Sequence, residues 1–199
     1  MAHPRAHLDL AALADAFAPD GLHGSSANAL AAALGVAKPT LYAHGTSKEA
    51  LFLRAVEAEV ERVVGALHAA ERASVGRSAR DRAALAALGL LDHAAARPAG
   101  ARLLARTAHH ATSGVAPDVA AALQRVPDRI AAGLRRDLAA DGLDPTPAAF
   151  IARALHGAVQ ALGEPRPGER RSARVALAGL VAVLVPAPPR PEPVSWPAA

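Results

Sequence analysis

Cysteine is absent from this 199-residue chain, so disulfides are excluded and thiolate metal sites with them. Aromatic side chains are scarce: three phenylalanines, one tyrosine and one tryptophan, with Phe150 alone between residues 53 and 185. No apolar run is long enough to span a bilayer, and the longest, Val175 to Val185, fits a buried helix instead. The start of the chain lacks an apolar core behind a basic segment, so no secretory signal is read there. A soluble, cytoplasmic protein without a membrane segment is expected. Catalytic signatures are missing as well, with no HExxH pair, no phosphate-binding glycine loop and no serine elbow. The nine histidines are not spaced for metal or acid-base chemistry, and the adjacent His109 and His110 point to different sides of a helix. No catalytic residue, cofactor or metal is therefore expected.

What the chain does have is alanine. Hydrophobic residues make up 52% of it, and alanine with leucine and arginine favours helix. Periodicity predicts about nine helices and no strand. The first spans about 6–18, with Leu10, Leu13, Ala14 and Phe17 toward the core. Two short helices follow between Ser26 and His44. The fourth runs from Ser47 to about 72 with Leu51, Ala55, Val56, Val60, Val63 and Leu67 on one side. The fifth and sixth cover about 80–96 and 97–112. The seventh opens at Pro117, shows Val119, Leu123, Val126, Ile130, Leu134 and Leu138, and stops at Gly142. Pro127 removes a hydrogen bond inside it, so a kink or break near Val126 is expected. The eighth and ninth cover about 148–162 and 169–185. Breaks are read at 74–78, at Ser113-Gly114 and in the proline-rich 164–168. The tail from Pro186 is too rich in proline for helix or sheet and is expected to be extended or disordered.

The segment Ser26 to Leu51 carries the functional information. Gly35 in Leu34-Gly35-Val36 supplies the left-handed residue that ends one short helix, and Ala37-Lys38-Pro39 opens the next with proline in its first turn. Two short helices about a glycine turn, the second with polar outward residues, form the plan of a DNA-reading helix-turn-helix. The formal charge of +4 is less informative, because residues 1–50 hold three basic residues against four acidic ones. Phosphate attraction must come from local placement and helix N-termini. The only two lysines, Lys38 and Lys48, both lie in this segment.

Residues 8–64 resemble the N-terminal domain of the tetracycline-repressor (TetR) family of transcriptional regulators. The resemblance rests on Ala16-Phe17, Gly21, Ser26, Leu30-Ala31, Leu34-Gly35-Val36, Lys38-Pro39-Thr40-Leu41-Tyr42, His44 and Ser47-Lys48-Glu49-Ala50-Leu51, in that order and spacing. One departure is Gly45, where the family usually carries an aromatic residue; it implies a looser link from His44 to Ser47. The resemblance implies an all-α fold with a three-helix DNA-binding domain at 1–47, an effector-binding and dimerisation domain at 48–185, and the tail at 186–199. It also implies a homodimeric repressor that binds double-stranded DNA at a palindromic operator and is released by a small-molecule effector. Two alternatives stand beside it: a helical ligand-binding dimer with a weakened head, and a small all-α enzyme.

Roles within the head follow. Lys38 and Lys48 are expected to pair with phosphates, or else stand as solvated surface lysines, while Thr40 touches a thymine methyl or a phosphate and Pro39 offers an apolar base contact. Tyr42 donates its hydroxyl to a phosphate or packs on the first helix, and His44 reaches the backbone or caps carbonyls. Ser26 is an N-cap whose helix end is also a phosphate seat. Leu30, Leu34, Val36 and Leu41 are core.

In the second half, small residues recur in the eighth and ninth helices: Ala154, Gly157, Ala158, Ala161, Ala176, Gly179 and Ala182. By resemblance these helices form the dimer interface, a four-helix bundle with a second copy. The resemblance further implies an effector pocket among the fifth to eighth helices. Arg102, Arg106 and His109 or His110 form a polar stripe that lines such a pocket or faces solvent, and Phe150 is the one aromatic available to it. With so few aromatics, an aliphatic or small polar effector is expected rather than a large planar cation.

Overall fold

The computed structural model describes residues 8–110, 116–162 and 168–188, and the regular structure among them is entirely helical. Ten helices are formed: α1 (Leu10–Phe17), α2 (Gly21–Gly24), α3 (Ala27–Ala33), α4 (Lys38–Tyr42), α5 (Lys48–Ala73), α6 (Ala79–Ala96), α7 (Pro98–His110), α8 (Pro117–Ala140), α9 (Ala148–Leu162) and α10 (Arg170–Leu184). The loop expected at Ser113-Gly114, residues 164–167 and the tail from 189 lie outside the described residues; Pro186 to Pro188 are non-helical.

Four helices, α1, α3, α5 and α6, open on a side chain that caps them. The Asp9 carboxylate accepts the amides of Ala11 and Ala12 at 2.8 and 3.2 Å, which starts α1 at Leu10 rather than near residue 6 as predicted. Ser26 Oγ accepts from Ala29 N at 3.1 Å and opens α3; Ser47 Oγ does the same for α5 through Ala50 N at 3.1 Å. The end of α3 is a double hydrogen bond about left-handed Gly35 (φ +64), with Val36 N donating to Ala31 O and Gly35 N to Ala32 O. The one-turn α2 was not predicted. It begins at Gly21, another left-handed glycine (φ +66), and is too short to leave a periodic signal.

The 26-residue α5 packs on α1 at one end and on α6 and α8 over the rest. Its predicted stripe is buried throughout, and the Phe52 ring meets Phe17 of α1 edge-on at 5.1 Å. Arginines of α8 hold it from outside: Arg125 pairs with Glu61, and Arg129 and Arg136 both with Glu71. Gly133 leaves room for this, since a β-carbon there would lie 3.1 Å from Glu71 Oε1. The break expected at Pro127 does not occur. That proline is buried and α8 continues through it, secured by neighbours along its apolar stripe. α7 crosses behind the head and touches α1 and α2 as well as α5, α6 and α8.

Candidate nucleic-acid interface and cavity

Within the head, Leu13, Phe17, Leu30, Leu41 and Leu51 form the fully buried centre on which α3 and α4 are set. This leaves Ser26, Lys38 and Pro39 exposed, with Thr40, Tyr42, His44 and Lys48 partly so. Tyr42 packs its ring against the core, in line with one of the two expected roles. Lys48 Nζ donates to the Ser25 carbonyl at 3.1 Å, which sets its ammonium beside Ser26 at the start of α3. Ser26 Oγ is engaged as an acceptor, so its proton is free to be donated outward.

Three of the four carboxylates in residues 1–50 are held by hydrogen-bond donors close to them. Asp9 is consumed in capping, and the amides of Ala12 and Ala11 hold its carboxyl below the usual range. Asp15 turns toward the body, where Arg97 donates to it at 2.9 Å. Glu49 sits at the start of α5, where the backbone and the Ser47 hydroxyl lower its pKa.

The loose link expected at Gly45 is corrected by two contacts. Arg54 of α5 donates to the His44 carbonyl and ties the end of the reading helix to the next one. Leu51 fills the space beside Gly45, whose φ is not left-handed. The glycine here accommodates a leucine rather than loosening the chain.

Behind the head a cavity of about 110 Å³ lies among α5, α6, α7 and α9. Val63, Leu90, Ala94, Leu104 and Val159 give it an aliphatic wall, and His93, Arg102, His156 and Gln160 supply its polar groups. No carboxylate lines it. Burial pushes the His156 imidazole down to about 4, so the ring is neutral near pH 7. Gln160 Nε2 lies 3.4 Å from His156 Nε2.

Of the residues expected at an effector site, Arg102 is the one the structure brings to this cavity. Arg106 instead donates to the Pro19 carbonyl and covers Gly21, joining α7 to the head. His109 is exposed and Phe150 is 64% exposed, both away from the lining; the side chain of His110 lies outside the described residues. Sequence reasoning missed His93, His156 and Gln160. The one signal was their place beside apolar positions on amphipathic helices.

A small helix pair seated on a longer helix, with lysines and a hydroxyl on its outer face, defines a helix-turn-helix DNA-binding regulator. Residues 10–55 match the family described as bacterial regulatory proteins, tetR family. A TetR-like transcriptional regulator from Rhodococcus sp. RHA1 is 28% identical, with 86% of this chain and 90% of that one covered at a TM-score of 0.68. A second transcriptional regulator from the same source is 25% identical, covering 88% and 93%, at a TM-score of 0.73. The fold, without close sequence, is shared with the regulator FadR from Bacillus subtilis in complex with stearoyl-CoA: 16% identity, 88% and 95% covered, TM-score 0.67. Residues 10–55 are thus similar to the DNA-binding segment of that family, and the chain as a whole shares the fold of the transcriptional regulators it matches.

Proposed function

We propose that the protein is a ligand-released repressor that binds a palindromic operator as a homodimer. The observation that carries the DNA contact is the exposed Lys38-Pro39-Thr40 edge of α4 beside Ser26 and Lys48. One phosphate is held jointly by the Lys48 ammonium and the Ser26 hydroxyl, another by Lys38, with Tyr42 and His44 flanking them. Thr40 and Pro39 face base edges. Residues 1–47 form the reading domain and 48–185 the remainder of the folded chain.

A second copy docks on the outer face of α9 and α10. Phe150, Val175 and Val183 are 64%, 68% and 82% exposed, next to the exposed small residues Gly157, Ala161, Ala176, Gly179 and Ala182. Apolar side chains gathered on one pair of helices with small residues between them suit close helix packing. Two reading helices then span a two-fold site.

The effector occupies the cavity. Its aliphatic wall and lack of carboxylates suit a ligand with an apolar body and no positive charge, as does the fold shared with a regulator that holds stearoyl-CoA. Protection mapping with the purified full chain on DNA upstream of its own gene tests the reading. A two-fold symmetric footprint, lost on adding the effector, is expected. Protection without sequence preference, or a monomer in sedimentation at micromolar concentration, overturns it.

A further inference from the structure

Glu59 lies in the apolar stripe of α5 with its side chain fully buried, the only charged residue so placed among the described residues. A buried carboxylate persists only with partners. Arg62 Nη1 donates to Oε2 at 2.7 Å, and Arg97 Nη2 reaches the same oxygen at 3.3 Å. On the other side His93 Nε2 stands 3.4 Å from Oε1, in ion-pair range but without hydrogen-bond alignment. The first turn of α7 rests on the same carboxylate: a β-carbon on Gly100 would fall inside it.

Two of these partners reach further. His93 lines the cavity, and Arg97 donates to Asp15 of α1 in the head. Both stand at the α6–α7 junction, where Ala94, Pro98 and Ala101 form cavity wall. A single carboxylate thus joins the cavity to the reading domain.

We propose that Glu59 couples the two. A small aliphatic molecule with one hydrogen-bonding group draws His93 away from Glu59 Oε1, and the carboxylate's altered hold on Arg97 is passed through Asp15 to α1. The inference rests on the cavity being the effector site. Burial opposes the charge on Glu59, but the neighbouring His93 and the Arg97 and Arg62 guanidiniums outweigh it and hold its pKa below the ordinary range. With His93 withdrawn, the two guanidiniums are the partners left to the buried carboxylate. Nε2 and Oε1 are each poorly satisfied, so a ligand group that bonds His93 squarely gains what the present geometry lacks.

Hydrogen exchange on the full chain tests this without an operator. In the ligand-free protein, His93→Ala is expected to change exchange of residues 10–17 by about fivefold, the lower range of ordinary coupling between sites. In a Glu59→Gln background it is expected to add nothing. Should Glu59→Gln fail to fold, Asp15→Asn on the surface serves as the second background. If His93→Ala leaves α1 unaltered, or acts equally in both backgrounds, the coupling is overturned. Hexanamide is the probe for the cavity itself: residues 90–105 and 155–160 are expected to gain protection, and residues 10–17 to respond only when Glu59 is intact. No protection at the cavity, with the variant cycle still non-additive, removes the effector reading and leaves the coupling standing.

Discussion

Leu51 occupies the space that any side chain at position 45 would need: a β-carbon on Gly45 would lie 2.8 Å from Leu51 Cδ2 and 2.9 Å from Cγ. Leu51 is fully buried and cannot swing aside. Gly45→Phe, which restores the aromatic usual at this place, is therefore expected to destabilise by about 1–3 kcal/mol through overpacking. Thermal unfolding of the variant measures this. A melting temperature at or above that of the unaltered protein contradicts the packing argument.

Contact types within the head separate by salt. Lys38→Ala and Lys48→Ala are each expected to weaken binding to operator and random DNA alike and to lower the salt slope by about one phosphate per subunit. Thr40→Ala and Pro39→Ala are expected to change the ranking of operator variants instead. Titrations at several salt concentrations distinguish the two groups, and equal behaviour of all four variants removes the assignment.

The proposed dimer face is open to a direct test because its residues are exposed in the single chain. Val175→Asp combined with Val183→Asp leaves the core intact, yet is expected to shift sedimentation from dimer to monomer. A double variant that stays dimeric places the contact elsewhere.

His156 makes stability depend on pH in a defined window. Its folded pKa, about 4, lies below the ordinary 6.5, so between those values the unfolded chain binds more protons and stability rises with pH. The stabilisation is complete above pH 6.5 and is lost as pH falls toward 4, by on the order of 3 kcal/mol. Glu59 acts in the same direction, its pKa also being depressed, but its contribution is lost only as pH falls through and below the ordinary carboxylate range. Urea unfolding from pH 4.5 to 7.5 is expected to show the slope, and His156→Leu to flatten it. An unchanged slope in that variant assigns the effect to another group.

What was legible in the sequence was what is decided locally. Ser26, Ser47 and Gly35 each fix a helix end through bonds to residues within five positions, and all three were read correctly. Asp9 offers the same chemistry, but the helix-favouring leucines on either side blurred the start of α1. At Pro127, where a kink or break is expected, α8 is not broken, because neighbouring helices hold that stretch together. Arg102 and Arg106 share a helix face at the spacing of one turn, yet one lines the cavity and the other reaches Pro19, a choice set by what α7 packs against. Glu59 was visible as a charge within an apolar stripe, but its partners His93 and Arg97 come from another helix, and no periodicity in α5 announces them.

The length of α5 turns a small local change into a large remote one. At ~1.5 Å per residue the helix is ~39 Å long, and Lys48 lies ~16 Å from Glu59 along it. If the carboxylate is the pivot, a tilt of about ten degrees carries the Lys48 end through roughly 3 Å by that same rise. A shift at one ion pair is thereby geared up to the length of a hydrogen bond, enough to part the Lys48 ammonium from the phosphate proposed for it.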